Sequence, residues 1–282
     1  MTLSHSGSGV SIRRLEPRDI PSAMELSSEA GWNQLPEDWA ALIQLAPESC
    51  FGIEIDGALV STTTVISYGR NLAWIGMVLT RASFRGRGYA SLLMEKALTV
   101  VDKNQITSVK LDATDLGIGL YRKFGFQKEQ IVERWAGYGL PSGAAVDSDA
   151  KVCEAVISQE IEELDGRAMG AHRGPLLKLL GKRSKPLHNP GGFAMHRPGR
   201  LKRYLGPCVA GDERSARKLI SASLLRDSGR WFWDIPAANT EATRMAGELG
   251  FEVERRLTRM IRGESLRCDT RLLYAIAGFE IG

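Results

Sequence analysis

One stretch limits the fold more than any other: Arg85-Gly86-Arg87-Gly88-Tyr89-Ala90. It joins an apolar run, residues 72–79, which reads as a buried strand, to residues 91–98, which read as a helix. Strand, glycine-rich turn and helix in that order aim several backbone N–H groups and the positive end of a helix dipole at one point. Glycine lets the backbone approach an anion closely, and successive N–H groups form an anion-binding hollow. Arg85 and Arg87 add positive charge, so a pyrophosphate is the natural guest. A dinucleotide fingerprint requires a third glycine where this chain has none, and a mononucleotide P-loop requires a Gly-Lys-Ser/Thr run that does not occur.

A second pattern follows. Residues 109–113 read as a strand, and a short helix then ends in Leu120-Tyr121-Arg122-Lys123-Phe124-Gly125-Phe126. Gly125 is placed to end that helix in a left-handed conformation. Together the two stretches resemble the GCN5-related N-acetyltransferases. The family's loop has Gln or Arg, then Gly, then Gly or Ala at the places filled here by Arg85, Gly88 and Ala90. Its later helix ends in a Leu-Tyr-x-x-x-Gly-Phe pattern filled by Leu120, Tyr121, Gly125 and Phe126.

Composition excludes several classes. The chain has 282 residues, enough for two ordinary domains, with 43% hydrophobic and 25% charged residues. No apolar run reaches the length of a membrane span, and the N-terminal stretch lacks the layout of a secretory signal. Cys50, Cys153, Cys208 and Cys268 lie far apart, as do the four histidines. That spacing argues against a disulfide framework and a metal site, and a cytoplasmic protein is expected. Residues 1–150 hold 14 Lys+Arg against 17 Asp+Glu, and the remainder 23 against 16. The excess positive charge of the second half is scattered, which reads as solvated surface, so no nucleic-acid partner is expected.

Taken in order, residues 10–15 alternate as a first strand, and a helix follows with Asp19 and Pro21 at its start. Gly31 breaks that helix ahead of Trp32 and Asn33. Asp56-Gly57 marks a hairpin turn between two further strands. Residues 136–150 are rich in small and turn-forming residues and read as a linker. The second half repeats the first in worn form. Gly206 and Gly250 stand 44 positions apart where Gly76 and Gly125 stand 49 apart. The shortfall falls on the glycine-rich loop, replaced by Gly211-Asp212-Glu213-Arg214-Ser215-Ala216, whose acidic pair opposes a phosphate. The expected organisation is a first domain over 1–138, a linker over 139–150 and a degenerate second copy over 151–282. The chain resembles bacterial tandem members of the family through Gly31-Trp32-Asn33 and residues 274–280, an apolar closing strand.

The resemblance implies an α/β (α+β) fold of two tandem domains. Each has a mixed, mostly antiparallel sheet flanked by helices. It also implies acetyl-CoA as cosubstrate, with direct transfer of acetyl to a primary amine and no metal. Backbone groups of Arg85, Gly86, Arg87, Gly88, Tyr89 and Ala90 would hold the pyrophosphate. Met77, Val78 and Leu79 would pair with the pantetheine arm, a backbone N–H near Val78 facing the thioester carbonyl. Thr114 would assist where relatives often carry Asn. Tyr121 is the candidate general acid. Trp32 and Asn33 are candidate acceptor contacts, whereas Trp39 is expected in the core. No carboxylate lies on 73–80, so the general base stays open among Glu25, Glu29, Asp38, Glu54 and a water chain. A small-molecule amine acceptor is expected; a protein lysine or N-terminus, or a non-catalytic acyl-CoA sensor, is the alternative.

Overall fold

The computed structural model describes residues 10–141, 143 and 152–282. Residues 1–9 and most of the expected linker (142 and 144–150) lie outside the described residues. The chain divides into two compact units, Met1–Val109 and Lys110–Gly282.

The first unit opens with β1 (Val10–Arg14), α1 (Ile20–Glu29) and α2 (Pro36–Leu45), followed by β2 (Cys50–Ile55), β3 (Ala58–Tyr68), β4 (Leu72–Thr80) and α3 (Tyr89–Lys103). β1, β2, β3 and β4 lie side by side in that order, and each pair is antiparallel. The turn between β2 and β3 has Asp56 at φ 50° and Gly57 at φ 79°, the two left-handed residues that suit a tight hairpin. Arg13 grips Asp19 through two nitrogens, and Asp19 accepts the Glu16 N–H at 2.8 Å, which fixes the entry to α1. Trp39 is fully buried and its indole N–H donates to Ser27 Oγ, so it is a core residue, as its sequence setting suggests.

β5 (Ser108–Ala113) runs across the division. The second unit continues with α4 (Asp115–Lys123), β6 (Gln127–Tyr138), β7 (Cys153–Glu154), α5 (Gln159–Met169), α6 (Gly174–Arg183), β8 (Leu187–Asn189), β9 (Gly192–Arg197) and β10 (Arg203–Ala210). It closes with α7 (Glu213–Leu224), β11 (Arg230–Pro236), α8 (Thr240–Glu248), β12 (Glu252–Gly263) and β13 (Leu273–Ala275). Its strands are ordered β5, β12, β6, β11, β10, β9, β8, β7, with β13 on β10. The sheet is mixed: β10 and β11 run parallel, whereas the β6 pairs are antiparallel.

β6 lies between β11 and β12, both far downstream in sequence. It pairs with β11 from Val132↔Pro236 to Tyr138↔Arg230. Two buried ion pairs hold this arrangement. Arg134 meets Asp234 at 2.7 and 2.6 Å across β6 and β11, and Arg259 meets Asp112 at 2.8 Å twice across β12 and β5. The compact division falls ahead of β6.

The expected linker also begins later than its composition suggests, because Ala136, Gly137 and Tyr138 are strand residues. Gly137 is small because the Phe251 ring packs on it: a Cβ there would lie 2.6 Å from that ring. Gly139 and Leu140 donate to the Gly229 and Leu224 carbonyls, so the chain stays docked past the end of β6. Beneath, Trp231, Trp233, Leu205, Phe251, Met245 and Tyr274 form part of one core cluster.

Candidate functional site

In the first unit, two local departures from regular structure stand at one end of β4. The first is a bulge. Thr62 pairs with Leu79 and Thr64 with Gly76, so Thr63 faces both Met77 and Val78. Met77 has φ 51°, a conformation that costs about 1–3 kcal/mol in a residue with a side chain and marks sites where function constrains the backbone. Thr62 Oγ1 donates to the Met77 carbonyl at 2.8 Å, and Ser61 Oγ to the Leu79 carbonyl at 2.6 Å. These hydroxyls stabilise the carbonyls that the bulge pulls out of register. Val78 and Thr80 are half-buried in an otherwise buried strand.

The second departure is the glycine-rich turn. After a 3₁₀ turn over Ala82–Phe84, residues 85–88 are exposed. Gly86 has φ 76° and Gly88 has φ 83°. A Cβ at either glycine would meet nothing within 4 Å, so both open onto free space. Gly88 is the N-cap of α3, a residue with no side chain to bond the first-turn N–H groups. The arginines are steadied from behind. Arg85 Nε donates to the Thr80 carbonyl at 3.1 Å, and Arg87 donates to the Ser83 carbonyl at 3.2 Å with its guanidinium 4.9 Å from the Phe84 ring centroid. Neither has a carboxylate partner among the described residues. The result is an open, positively charged turn at the start of a helix, a setting whose charge suits a phosphate group.

The carboxylates considered as bases have other work. Glu25 pairs with Arg81, and Glu29 accepts the Ala82 N–H at 2.8 Å. Asp38 accepts the Leu35 N–H at 2.7 Å at the start of α2, and Glu54 pairs with Arg13. Trp32 is half-buried and Asn33 buried, three and four residues beyond Glu29, which ties the end of α1 to the start of the glycine-rich turn.

In the second unit, Thr114 stands at the N-cap of α4, and its side chain makes no cap bond. Tyr121 is buried, with its ring edge-on to Phe126 at 6.2 Å and packed over Gly117, where a Cβ would lie 2.7 Å from the ring. Its hydroxyl has no hydrogen-bond partner among the described residues, and burial raises its pKa above the ordinary tyrosine value. Gly125 at φ 82° ends α4, and the Phe126 N–H reaches back to the Tyr121 carbonyl. At the start of α7, Asp212 caps the helix: its carboxylate accepts both the Ser215 N–H and the Ser215 hydroxyl at 2.8 Å. No His, Cys, Asp or Glu cluster suited to a metal occurs among the described residues, and no helix there is long and apolar enough to cross a membrane.

Ser61 and Thr62 belong to no motif of the sequence. Their trace there is a run of four hydroxyl residues, 61–64, all of which the structure buries on one strand.

Comparison with known proteins places these features in a family. A model described as "Acetyltransferase (GNAT) family" matches residues 18–126, and one described as "Acetyltransferase (GNAT) domain" matches 161–275. A relative from Bacillus subtilis, the uncharacterised N-acetyltransferase YitH, is 24% identical over 84% of this chain and 86% of its own length. A crystal structure from Pyrococcus horikoshii assigned as an acetyltransferase superposes with a TM-score of 0.89 at 21% identity, covering 99% of this chain and 98% of that one. A tandem GNAT protein from the clavulanic acid biosynthesis pathway superposes at 0.64 with 14% identity, covering 91% and 99%.

Proposed function

We propose that this chain, which belongs to the GCN5-related N-acetyltransferase superfamily with one such domain in each half, moves acetyl from acetyl-CoA to a primary amine of a small molecule, and does so with its first copy. The single observation that supports this most is the open start of α3, with left-handed Gly86 before it and left-handed Gly88 at its N-cap. In this reading residues 1–138 are the catalytic domain, 139–150 the linker and 151–282 a copy without a cofactor, and the protein is cytoplasmic.

Acetyl-CoA supplies an acetyl thioester; the acceptor nitrogen forms the new C–N bond as the C–S bond breaks. The N–H groups of residues 86–90, with Arg85 and Arg87, bind the pyrophosphate. The backbone of Met77, Val78 and Leu79 orients the pantetheine arm, with Thr114 assisting, and an N–H near Val78 polarises the thioester carbonyl. Such an oxyanion contact is worth about 3 kcal/mol where water is excluded. Tyr121 holds a proton for the departing sulfur, and its burial keeps that proton on the phenol. The acceptor's proton leaves through solvent, because the four candidate carboxylates are engaged elsewhere. Trp32 and Asn33 are assigned to the acceptor.

The test is Tyr121→Phe. Turnover should fall by about a hundredfold or more, with KM for acetyl-CoA unchanged. Unchanged turnover would remove the acid role, and a chain that binds acetyl-CoA yet acetylates neither an amine library nor a peptide library would be a sensor.

A further inference from the structure

The two strands that carry the repeat, β4 and β10, end differently. Matching Gly76 with Gly206 sets Val78 against Cys208, Leu79 against Val209 and Thr80 against Ala210. Val78 and Thr80 are half-buried, whereas Cys208, Val209 and Ala210 are at most 1% exposed. What covers them is the chain itself.

β10 and β11 run parallel and pair over only three positions, from Arg203↔Trp231 to Leu205↔Trp233. From there a segment near residue 275 occupies the space between them. On one side β13 pairs antiparallel with β10, Cys208↔Ala275 and Val209↔Leu273. On the other, the Ile276 N–H donates to the Asp234 carbonyl at 3.0 Å, and Trp233 Nε1 donates to the Tyr274 carbonyl at 2.7 Å. The Tyr204 hydroxyl donates to the Ile276 carbonyl at 3.2 Å. Gly206, at φ 146°, admits this approach: a Cβ there would lie 2.0 Å from the Ile276 oxygen. Residues 273–276 are at most 1% exposed. The helix that follows β10 is filled as well, since Asp212 places a carboxylate on its N-terminal N–H groups.

We infer that Leu273–Ile276 is a built-in occupant of the second copy's acyl-CoA groove, with an extended backbone in the place of an amide-bearing arm and Asp212 in the place of a phosphate, so that each chain takes up one acyl-CoA. This rests on the assignment of Met77–Leu79 and residues 85–90 of the first copy to the cofactor. Extended peptide and a pantetheine arm offer a strand edge the same thing, amide donors and acceptors at close spacing. The occupant is covalently part of the chain, so it competes with no translational cost.

Two measurements on the full chain test this. Native mass spectrometry with saturating acetyl-CoA should show one bound per chain, and none for Gly88→Glu. Hydrogen exchange should show the amides of 273–276 about a thousandfold or more slower than unstructured chain, unchanged by acetyl-CoA. A second equivalent, one equivalent retained in Gly88→Glu, or faster exchange at 273–276 on adding acetyl-CoA would overturn the inference. Were the wild type to bind none, the first-copy assignment would fall by itself. Exchange at 273–276 without ligand would still decide whether the groove is held shut, and fast exchange there would refute it.

Discussion

Gly88→Ala, set beside Gly69→Ala, separates a binding role of the glycine-rich turn from a conformational one. Both glycines have left-handed backbones, φ 83° and 67°, and a Cβ at either would meet no atom within 4 Å. The folded protein therefore has no steric reason to reject either alanine, and the cost at each is the strain of a left-handed residue with a Cβ, about 1–2 kcal/mol. For a chain of this size that lowers Tm by about 2–4 °C per kcal/mol, and the two variants should fall together. Ligand binding should part them. Gly69 precedes β4 and Gly88 follows it, so they flank a strand of nine residues, about 30 Å long. Only at Gly88 does the added methyl enter the space assigned to the pyrophosphate. Displacing an anion from one charged hydrogen bond costs about 1.5–3 kcal/mol, so KM for acetyl-CoA should rise about tenfold or more in Gly88→Ala and stay unchanged in Gly69→Ala. Steady-state kinetics with a saturating amine, beside a thermal melt of each variant, reads both quantities. Equal KM in the two variants would refute the assignment of the turn to the cofactor.

Two further outcomes follow from buried charge. His196 has a buried Nδ1 without a partner among the described residues, and its ring lies 5.9 Å from that of Trp231. Burial first, then the nearby Arg226 and Arg203, push its pKa down to about 4. The unfolded chain then binds a proton that the folded one does not, so stability is lost as pH falls from about 6.5 towards 4, by about 3 kcal/mol in full. Urea midpoints measured across that window should fall less steeply in His196→Phe, and parallel curves would refute the reading. Asp234→Asn leaves the Arg134 guanidinium buried without its ion-pair partner, and loss of such a partner costs about 3–5 kcal/mol. Replacing both residues with apolar ones should restore most of that in denaturant unfolding.

The turn over 85–90 and the Leu120–Phe126 pattern were legible in sequence because each depends on residues with few substitutes: glycines at positive φ and an aromatic at fixed distance. The Asp56-Gly57 hairpin was legible for the same reason. The bulge at Met77 was not, since residues 72–79 form an unbroken apolar run and nothing in it marks where pairing slips by one. Its trace lay on the neighbouring strand, in Ser61 and Thr62, whose hydroxyls bond the displaced carbonyls. Residues 136–139 misled because glycine has two uses. Composition reads it as freedom to turn, whereas Gly137 and Gly139 are small because the Phe251 ring and the Asp227 carbonyl press against them. The closing strand expected over 274–280 is strand only as far as Ala275, the chain turning through 276–282 beyond it, and its place on β10 was not legible, because pairing partners some 65 residues apart leave no local pattern.

The position of β6 bears on why a second copy without a cofactor would persist. β6 is bonded along both edges, to β11 on one side and β12 on the other, and its Arg134 is paired with Asp234 of β11. Cutting the chain after residue 138 would leave a twelve-residue strand with two bare edges and a cation built for burial. β12 is no more independent, since Arg259 meets its carboxylate on β5. Each half thus supplies a strand that the sheet of the second unit cannot close without. Loss of cofactor binding removes the need for particular residues at the end of β10 and the start of α7, whereas loss of the strands would remove the fold. The first change is tolerated where the second is not, and that asymmetry suffices to keep residues 151–282 in place as structure after their own groove has been filled from within.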